Sequence, residues 1–232
     1  MIFLADYAVN PLGVQSDDAI AAVVDRWLSR AAEDSDSLVI ACNTLSIRYH
    51  QLHESARPAT APAQVISIVD CLKAMVKQEV ARLAGRKILI IGTKFTASQS
   101  LYAEILGDSV PDISVASIAA TELERRIARL EPWEGRGDKS LTADLQQAIE
   151  KTDVAILACT CFPMVRSDLE ALYPDVVFLD PGAWCRDLVK EESQTEYNQL
   201  SLEVTGNAVA EKRVIQYARS YLGAGSVGSI VS

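Results

Sequence analysis

Two stretches of this chain repeat one design, and each ends in a cysteine. The first is Asp36-Ser37-Leu38-Val39-Ile40-Ala41-Cys42-Asn43-Thr44; the second is Asp153-Val154-Ala155-Ile156-Leu157-Ala158-Cys159-Thr160-Cys161. In both, an acidic start leads into an apolar run of strand length, then an Ala-Cys pair and small polar residues. An apolar run without polar alternation suits a strand buried on both faces, the condition of strands in a parallel sheet. Such sheets bind ligands beyond the carboxyl ends of their strands. The repeat therefore predicts Cys42 and Cys159 at equivalent, ligand-facing positions of two similar halves. If the halves face each other, two thiols enter one cleft from opposite sides.

The rest of the chain alternates short apolar runs with longer amphipathic segments, the signature of βαβ units. Strands are expected at 1–5, 38–41, 65–69, 87–91, 113–118, 154–158 and 176–179. Helices are expected at 17–32, from 47 to 54, and at 72–83, 97–106, 122–130, 140–150 and 167–172. Beyond Ala183 the pattern is mostly helical except near 200–205, and the Gly/Ser-rich end, 223–232, reads as a frayed tail. The predicted fold class is α/β: two pseudo-symmetric domains, each a parallel sheet flanked by helices, with the site in the cleft between them. Residues 1–85 plus 184–232 would form the first domain, with Cys42, and residues 86–183 the second, with Cys159.

Composition narrows the function. The chain has 232 residues, enough for a substantial core, and 49% of them are apolar. Its 22 Lys and Arg against 31 Asp and Glu give a formal net charge of −9, which disfavours nucleic acid and anionic membrane as partners. No apolar stretch approaches the roughly 20 residues that span a bilayer. Met1-Ile2-Phe3-Leu4-Ala5-Asp6 lacks the basic segment of a signal peptide, so the expected compartment is the cytoplasm. Five cysteines without a dense spacing pattern read as free thiols.

A thiol ionises near pH ~8.5 and does so more readily beside a helix N-terminus or a basic group. A thiolate and a thiol on opposite faces of a carbon acid can take a proton from one face and return one to the other. That inverts a stereocentre with no metal and no cofactor. Other motifs carry less. His50 and His53 share a helix face, as a metal pair or a solvated surface. Cys159-x-Cys161 with Cys42 could form a thiolate zinc site, but no CxxC pair supports one. Cys71 and Cys185 read as packing residues. Glu122 and Glu124 could approach the second cysteine, though an exposed helix start is the preferred reading. Gly92-Thr93-Lys94 lacks the earlier glycine of a phosphate loop.

Ala41-Cys42-Asn43-Thr44 and Ala158-Cys159-Thr160-Cys161-Phe162-Pro163 resemble the two cysteine signatures of the aspartate/glutamate racemase superfamily, closest to its cofactor-independent glutamate racemases. Ile90-Ile91-Gly92-Thr93, Val177-Phe178-Leu179-Asp180, Val204-Thr205-Gly206-Asn207 and Tyr221-Leu222-Gly223 extend the likeness over nearly the whole chain. The resemblance implies that Cys42 and Cys159 are the acid/base pair and that Asn43, Thr44 and Thr160 bind substrate, together with Thr93, Tyr7 and Cys161. Asp6 falls where the family has an Asp-Ser pair. A carboxylate there would hold a cysteine proton or an ammonium group. The implied ligand is a small acidic amino acid or dicarboxylate, glutamate first and aspartate second, with a homodimer as one assembly.

The chain departs from the family at three points. Cys161 replaces a histidine and offers the second cysteine a weaker hydrogen-bond partner. Asp6-Tyr7 replaces Asp-Ser. A strand and loop are missing between Gly13 and Asp36, including the Pro-Tyr-Gly segment that helps hold substrate in glutamate racemases. Two rival readings follow from these changes. One is a relative acting on another small carboxylic acid, like the maleate isomerases and arylmalonate decarboxylases; those decarboxylases keep one of the two cysteines. The other is a non-catalytic ligand-binding protein.

Overall fold

The unbroken apolar runs form parallel strands. In a computed structural model of the chain, the described residues are 2–6, 9, 12, 15–53, 61–189, 200–205 and 227–231. In chain order the first elements are β1 (Ile2–Asp6), α1 (Asp17–Asp34), β2 (Ser37–Ile40), α2 (Asn43–His53), β3 (Gln64–Ser67) and α3 (Ile68–Leu83). There follow β4 (Lys87–Gly92), α4 (Lys94–Ser98), α5 (Leu101–Ser109), β5 (Ser114–Ala119), α6 (Thr121–Ala128), α7 (Ala143–Glu150), β6 (Val154–Ala158), α8 (Arg166–Leu172), β7 (Val177–Leu179) and α9 (Cys185–Leu188). Two strands, β8 (Leu200–Thr205) and β9 (Val227–Val231), close the series. The chain divides into two compact units, residues 1–16 with 190–232 and residues 17–189.

The larger unit holds a four-stranded parallel sheet in the order β5-β4-β6-β7. Every residue of β6 is buried, as is all of β4 after Lys87. Successive side chains of a strand point to opposite faces, so the central strands feed two cores. Ile88, Ile90, Val154 and Ile156 pack with Leu72 and Met75 of α3 and Tyr102 and Leu106 of α5. Leu89, Ile91, Ala155 and Leu157 pack with Leu123, Ile127, Leu145, Ile149 and Phe162. Each such aliphatic side chain contributes about 1.5–3 kcal/mol when fully buried. Beneath the second core, Arg126 and Asp138 form a buried ion pair at 2.6 Å. Burial opposes ionisation of Asp138, but bonds from Ser140 and the Glu134 amide, and the charge of Arg126, hold its carboxyl below the ordinary range.

A second sheet in this unit pairs β2 and β3 in parallel. Here a helix begins earlier than the apolar pattern predicts. The strand expected to run to Val69 stops at Ser67, and α3 starts at Ile68 rather than Leu72. The cause is a capping box: the Ser67 hydroxyl oxygen accepts the Asp70 amide hydrogen at 3.2 Å, while the Asp70 carboxylate accepts from the Ser67 amide at 2.9 Å. Burial works against the Asp70 charge, yet bonds from His50 and Ser67 bring its pKa down to about 2. The segment expected as one helix at 97–106 is two, α4 and α5, because Thr93 caps the first and Gln99 is extended (φ −96°, ψ 144°). Gly85 sits just past α3 with φ +70°, a conformation glycine adopts without strain.

The smaller unit contains a parallel sheet in the order β1-β8-β9. The expected frayed tail is thus corrected: Val227–Val231 is a strand, paired in parallel with 200–203 across a register shift between Leu200 and Ser201. Among the described residues, no helix is long and apolar enough to cross a membrane.

Candidate active site

Cys42 sits where β2 turns into α2. The Cys42 carbonyl accepts the Ser46 amide hydrogen at 2.8 Å, so the cysteine caps α2, which starts at Asn43, four residues before the expected start at Ile47. The Cys42 sulfur accepts the amide hydrogens of Leu45 and Thr44. It occupies the place where a Ser, Thr, Asp or Asn oxygen usually caps a helix. Burial outweighs those donors and pushes the thiol up to about 11, with the nearby charges of Cys159 and Glu124 acting the same way. Cys42 is therefore a thiol at neutral pH. Ser46, fully buried, holds this corner: its hydroxyl donates to the Ile40 carbonyl and accepts from the Ile68 amide, both at 3.0 Å.

Asn43 is 3% exposed, and its side-chain oxygen accepts a hydrogen bond from the Tyr102 hydroxyl. The Asn43 amide nitrogen finds no partner among the described residues. Burial drives the Tyr102 pKa far above the usual phenol range, so it stays a donor. A buried amide beside a cysteine, with N–H groups unpartnered among the described residues, is a donor open to a further acceptor. Thr44, next along the first turn, is buried as well.

Cys159 directly follows β6, one residue past the Ala158 that pairs with Gly92 at the end of β4. Its sulfur lies 3.2 Å from that of Cys161. The Cys161 thiol and the Cys161 backbone amide both donate to it and lower its pKa, against an opposing push from burial and from Glu124. Cys161 keeps its own proton and is pushed far upward by that same hydrogen bond. Between the two, the exposed Thr160 hydroxyl donates to the Ala41 carbonyl at 3.2 Å. That bond joins the turn after β6 to the residue just before Cys42. Together with the mutual charge effect of the two sulfurs, it puts Cys42, Asn43, Thr160, Cys159 and Cys161 in one neighbourhood.

Other expected site residues sort differently. Thr93 lies at the end of β4, with its hydroxyl capping α4 through the Thr96 amide at 3.1 Å. Asp6 ends β1 in the smaller unit, and Tyr7 lies outside the described residues. Cys71, completely buried, bonds to Cys185 beside Ile66 and Ile68; burial lifts its pKa to about 12. This pair serves packing, as expected. His50 lies 3.6 Å from Asp70. Among the described residues no group of three His, Cys, Asp or Glu is arranged to hold a metal.

The preferred reading of Glu124 as part of an exposed helix start is corrected. The β5 end pairs with Gly92, so α6 starts at the same sheet edge as the cysteine turn and packs on residues 162–165. Glu124 is half-buried there, and its charge reaches Cys42, Cys159 and Cys161. Burial raises its carboxyl, with Arg125 opposing. Glu122 does face solvent, paired with Arg125 at 2.6 Å. The signal for Glu124 was its place in the first helical turn after a parallel strand's carboxyl end.

Solved glutamate racemases share this parallel α/β fold. The glutamate racemase of Campylobacter jejuni superposes with a TM-score of 0.71 at 22% identity, covering 96% of this chain and 88% of the other. The Francisella tularensis glutamate racemase, crystallised with D-glutamate, gives 0.71 at 18% identity, covering 100% and 87%. In sequence, the glutamate racemase of Vibrio vulnificus (strain YJ016) is 26% identical over 208 residues, 88% of this chain and 73% of that protein. The model of the Asp/Glu/hydantoin racemase family matches residues 10–185. The chain belongs to that family and is an isomerase, a racemase of the Asp/Glu type.

Proposed function

We propose that this racemase acts on a small acidic amino acid without a cofactor, glutamate first and aspartate second, with Cys42 and Cys159 as its acid/base pair. The observation that carries this reading is the 3.2 Å hydrogen bond from Thr160 to the Ala41 carbonyl, which brings the two Ala-Cys turns together, with Cys159 eased toward thiolate and Cys42 held as thiol. The Cys159 thiolate takes the Cα hydrogen as a proton. The C–H electron pair stays on a planar carbanion delocalised into the substrate carboxylate. Cys42 then gives its proton to the opposite face. One turnover leaves Cys159 protonated and Cys42 ionised, and exchange with solvent restores the starting pair. The free Asn43 amide, with Thr44 and Thr160, binds the substrate carboxylate and amino group. Glu124 adds a negative group to face the ammonium. Asp6, Tyr7 and Thr93 remain substrate contacts on the resemblance alone, as does the division into domains at 85/86 and 183/184.

Retention of both cysteines favours inversion over the one-cysteine decarboxylase chemistry. The test is a circular dichroism assay on separate D- and L-amino acids. Glutamate of either hand should lose its signal, with aspartate slower. Full retention of both signals by folded protein, or racemisation unaffected by losing either cysteine, would sink the reading.

A further inference from the structure

The reading above leaves one thiol at the site without a role. Cys161 stands two residues after Cys159, both half-buried, with their sulfurs 3.2 Å apart. The backbone fixes that approach. The Cys159 carbonyl accepts the Phe162 amide hydrogen at 3.0 Å, and the Cys161 carbonyl accepts that of Met164 at 3.2 Å. Both residues are thus locked in one turn above β6. The two sulfurs are not equivalent. The Cys161 amide approaches both sulfurs, and the 3.2 Å contact between them favours a single negative charge on Cys159 with the shared proton on Cys161. Among the described residues, the other titratable groups that interact with the pair are Cys42 from the start of α2, Tyr102 from α5, which burial keeps protonated, and Glu124 from α6; negative charge on Cys42 or Glu124 opposes the thiolate. Among the described residues no cation acts on Cys159, and the neighbouring S–H is what offsets them.

We propose that Cys161 is a positioning residue, whose S–H donates to the Cys159 sulfur and keeps Cys159 the deprotonated, correctly aimed partner in the resting protein. This rests on the two-cysteine reading for its use in catalysis, but the thiol pair itself is testable without substrate. It also reassigns Cys161: its hydrogen bond goes to Cys159 rather than to substrate. When Cys159 receives the substrate proton, Cys161 keeps its own, so the pair gains one proton and no bond between sulfurs forms.

The experiment is alkylation of substrate-free full-length protein by iodoacetamide in reducing buffer, with each cysteine followed by mass spectrometry across pH. In the wild type, Cys159 should react before Cys161. In Cys161→Ala the midpoint for Cys159 should rise by about one pH unit, a tenfold loss of thiolate at fixed pH, and Cys161→Ser should restore much of it through its hydroxyl. The Cys42 profile should move far less. In turnover, kcat should fall about tenfold in Cys161→Ala with KM little changed, again rescued by Ser. An unmoved Cys159 profile in Cys161→Ala overturns the proposal. If that variant fails to fold, wild-type modification of Cys161 ahead of Cys159 overturns it equally. A shifted profile in a protein that racemises nothing upholds the thiol pair and rejects the function above.

Discussion

The turn after β2 and the turn after β6 share a plan: a buried apolar strand, Ala-Cys, then a helical segment. Their thiols nonetheless differ in kind. Cys42 caps an 11-residue helix and receives two amide hydrogens, yet burial still leaves it protonated up to about pH 11. Cys159 precedes only a short 3-10 turn, residues 162–165, but has a thiol donor two positions on and ionises more readily. Duplication of the backbone sets where the sulfurs sit; the one or two residues that follow decide which carries the proton. A pair of identical residues can thereby hold one acid and one base at rest, which a proton transfer across a stereocentre requires.

The sharpest break of this comparison is removal of either sulfur. Cys42→Ala and Cys159→Ala should each lower kcat by about 10³-fold or more, because each thiol serves as base in one direction and acid in the other. Cys185→Ala should keep most activity. A working Cys159→Ala enzyme would show that the two turns are not complementary.

The supports of the two turns differ as well, and stability measures that. The Cys159 side rests over the Arg126–Asp138 pair, with both side chains buried. Asp138→Ala leaves a buried guanidinium uncompensated and should cost about 3–5 kcal/mol in urea unfolding. On the Cys42 side, Ser67→Ala removes a helix cap and should cost about 1 kcal/mol. Equal losses would mean that the ion pair is far better solvated than its geometry indicates.

The pH profile sharpens the comparison further. On the proposed mechanism, activity needs Cys159 ionised and Cys42 protonated in one direction. The rate should rise with pH through the lowered Cys159 midpoint, below the ordinary thiol value, and fall as pH approaches about 11, where Cys42 loses its proton. A profile still rising past pH 11 would contradict the acid role of Cys42. The smallest effect expected is that of Tyr102→Phe. It frees the Asn43 oxygen and should raise KM a few-fold, at a cost of about 1 kcal/mol in stability.

Much of this was legible in the sequence. Unbroken runs such as Val154–Ala158 have no polar residue to place at a surface, so they identify central parallel strands. The paired Ala-Cys ends led straight to Cys42 and Cys159. What the sequence hid were one local cap and several effects set by partners distant in the chain. Ile68-Val69 reads as strand, but Ser67 and Asp70 turn it into the first turn of α3. Val227–Val231 reads as tail beside its glycines, but finds a partner in β8. Glu124 reads as surface because its helix is polar; only the adjacency of β5 to β4, and of β4 to β6, brings it to the thiols. Cys161 reads as a lost histidine, whereas its sulfur approaches that of Cys159 to 3.2 Å, the contact on which the proposed donor role rests.

The central claim is that two unlike thiols move a proton on and off one carbon. Racemisation of L-glutamate in D2O, followed by NMR of the Cα position, tests it most directly. The account predicts that D-glutamate forms with deuterium at Cα, and that neither Cys42→Ala nor Cys159→Ala forms it. D-glutamate that keeps its original Cα hydrogen, or folded wild-type protein that neither racemises nor exchanges, would contradict the account.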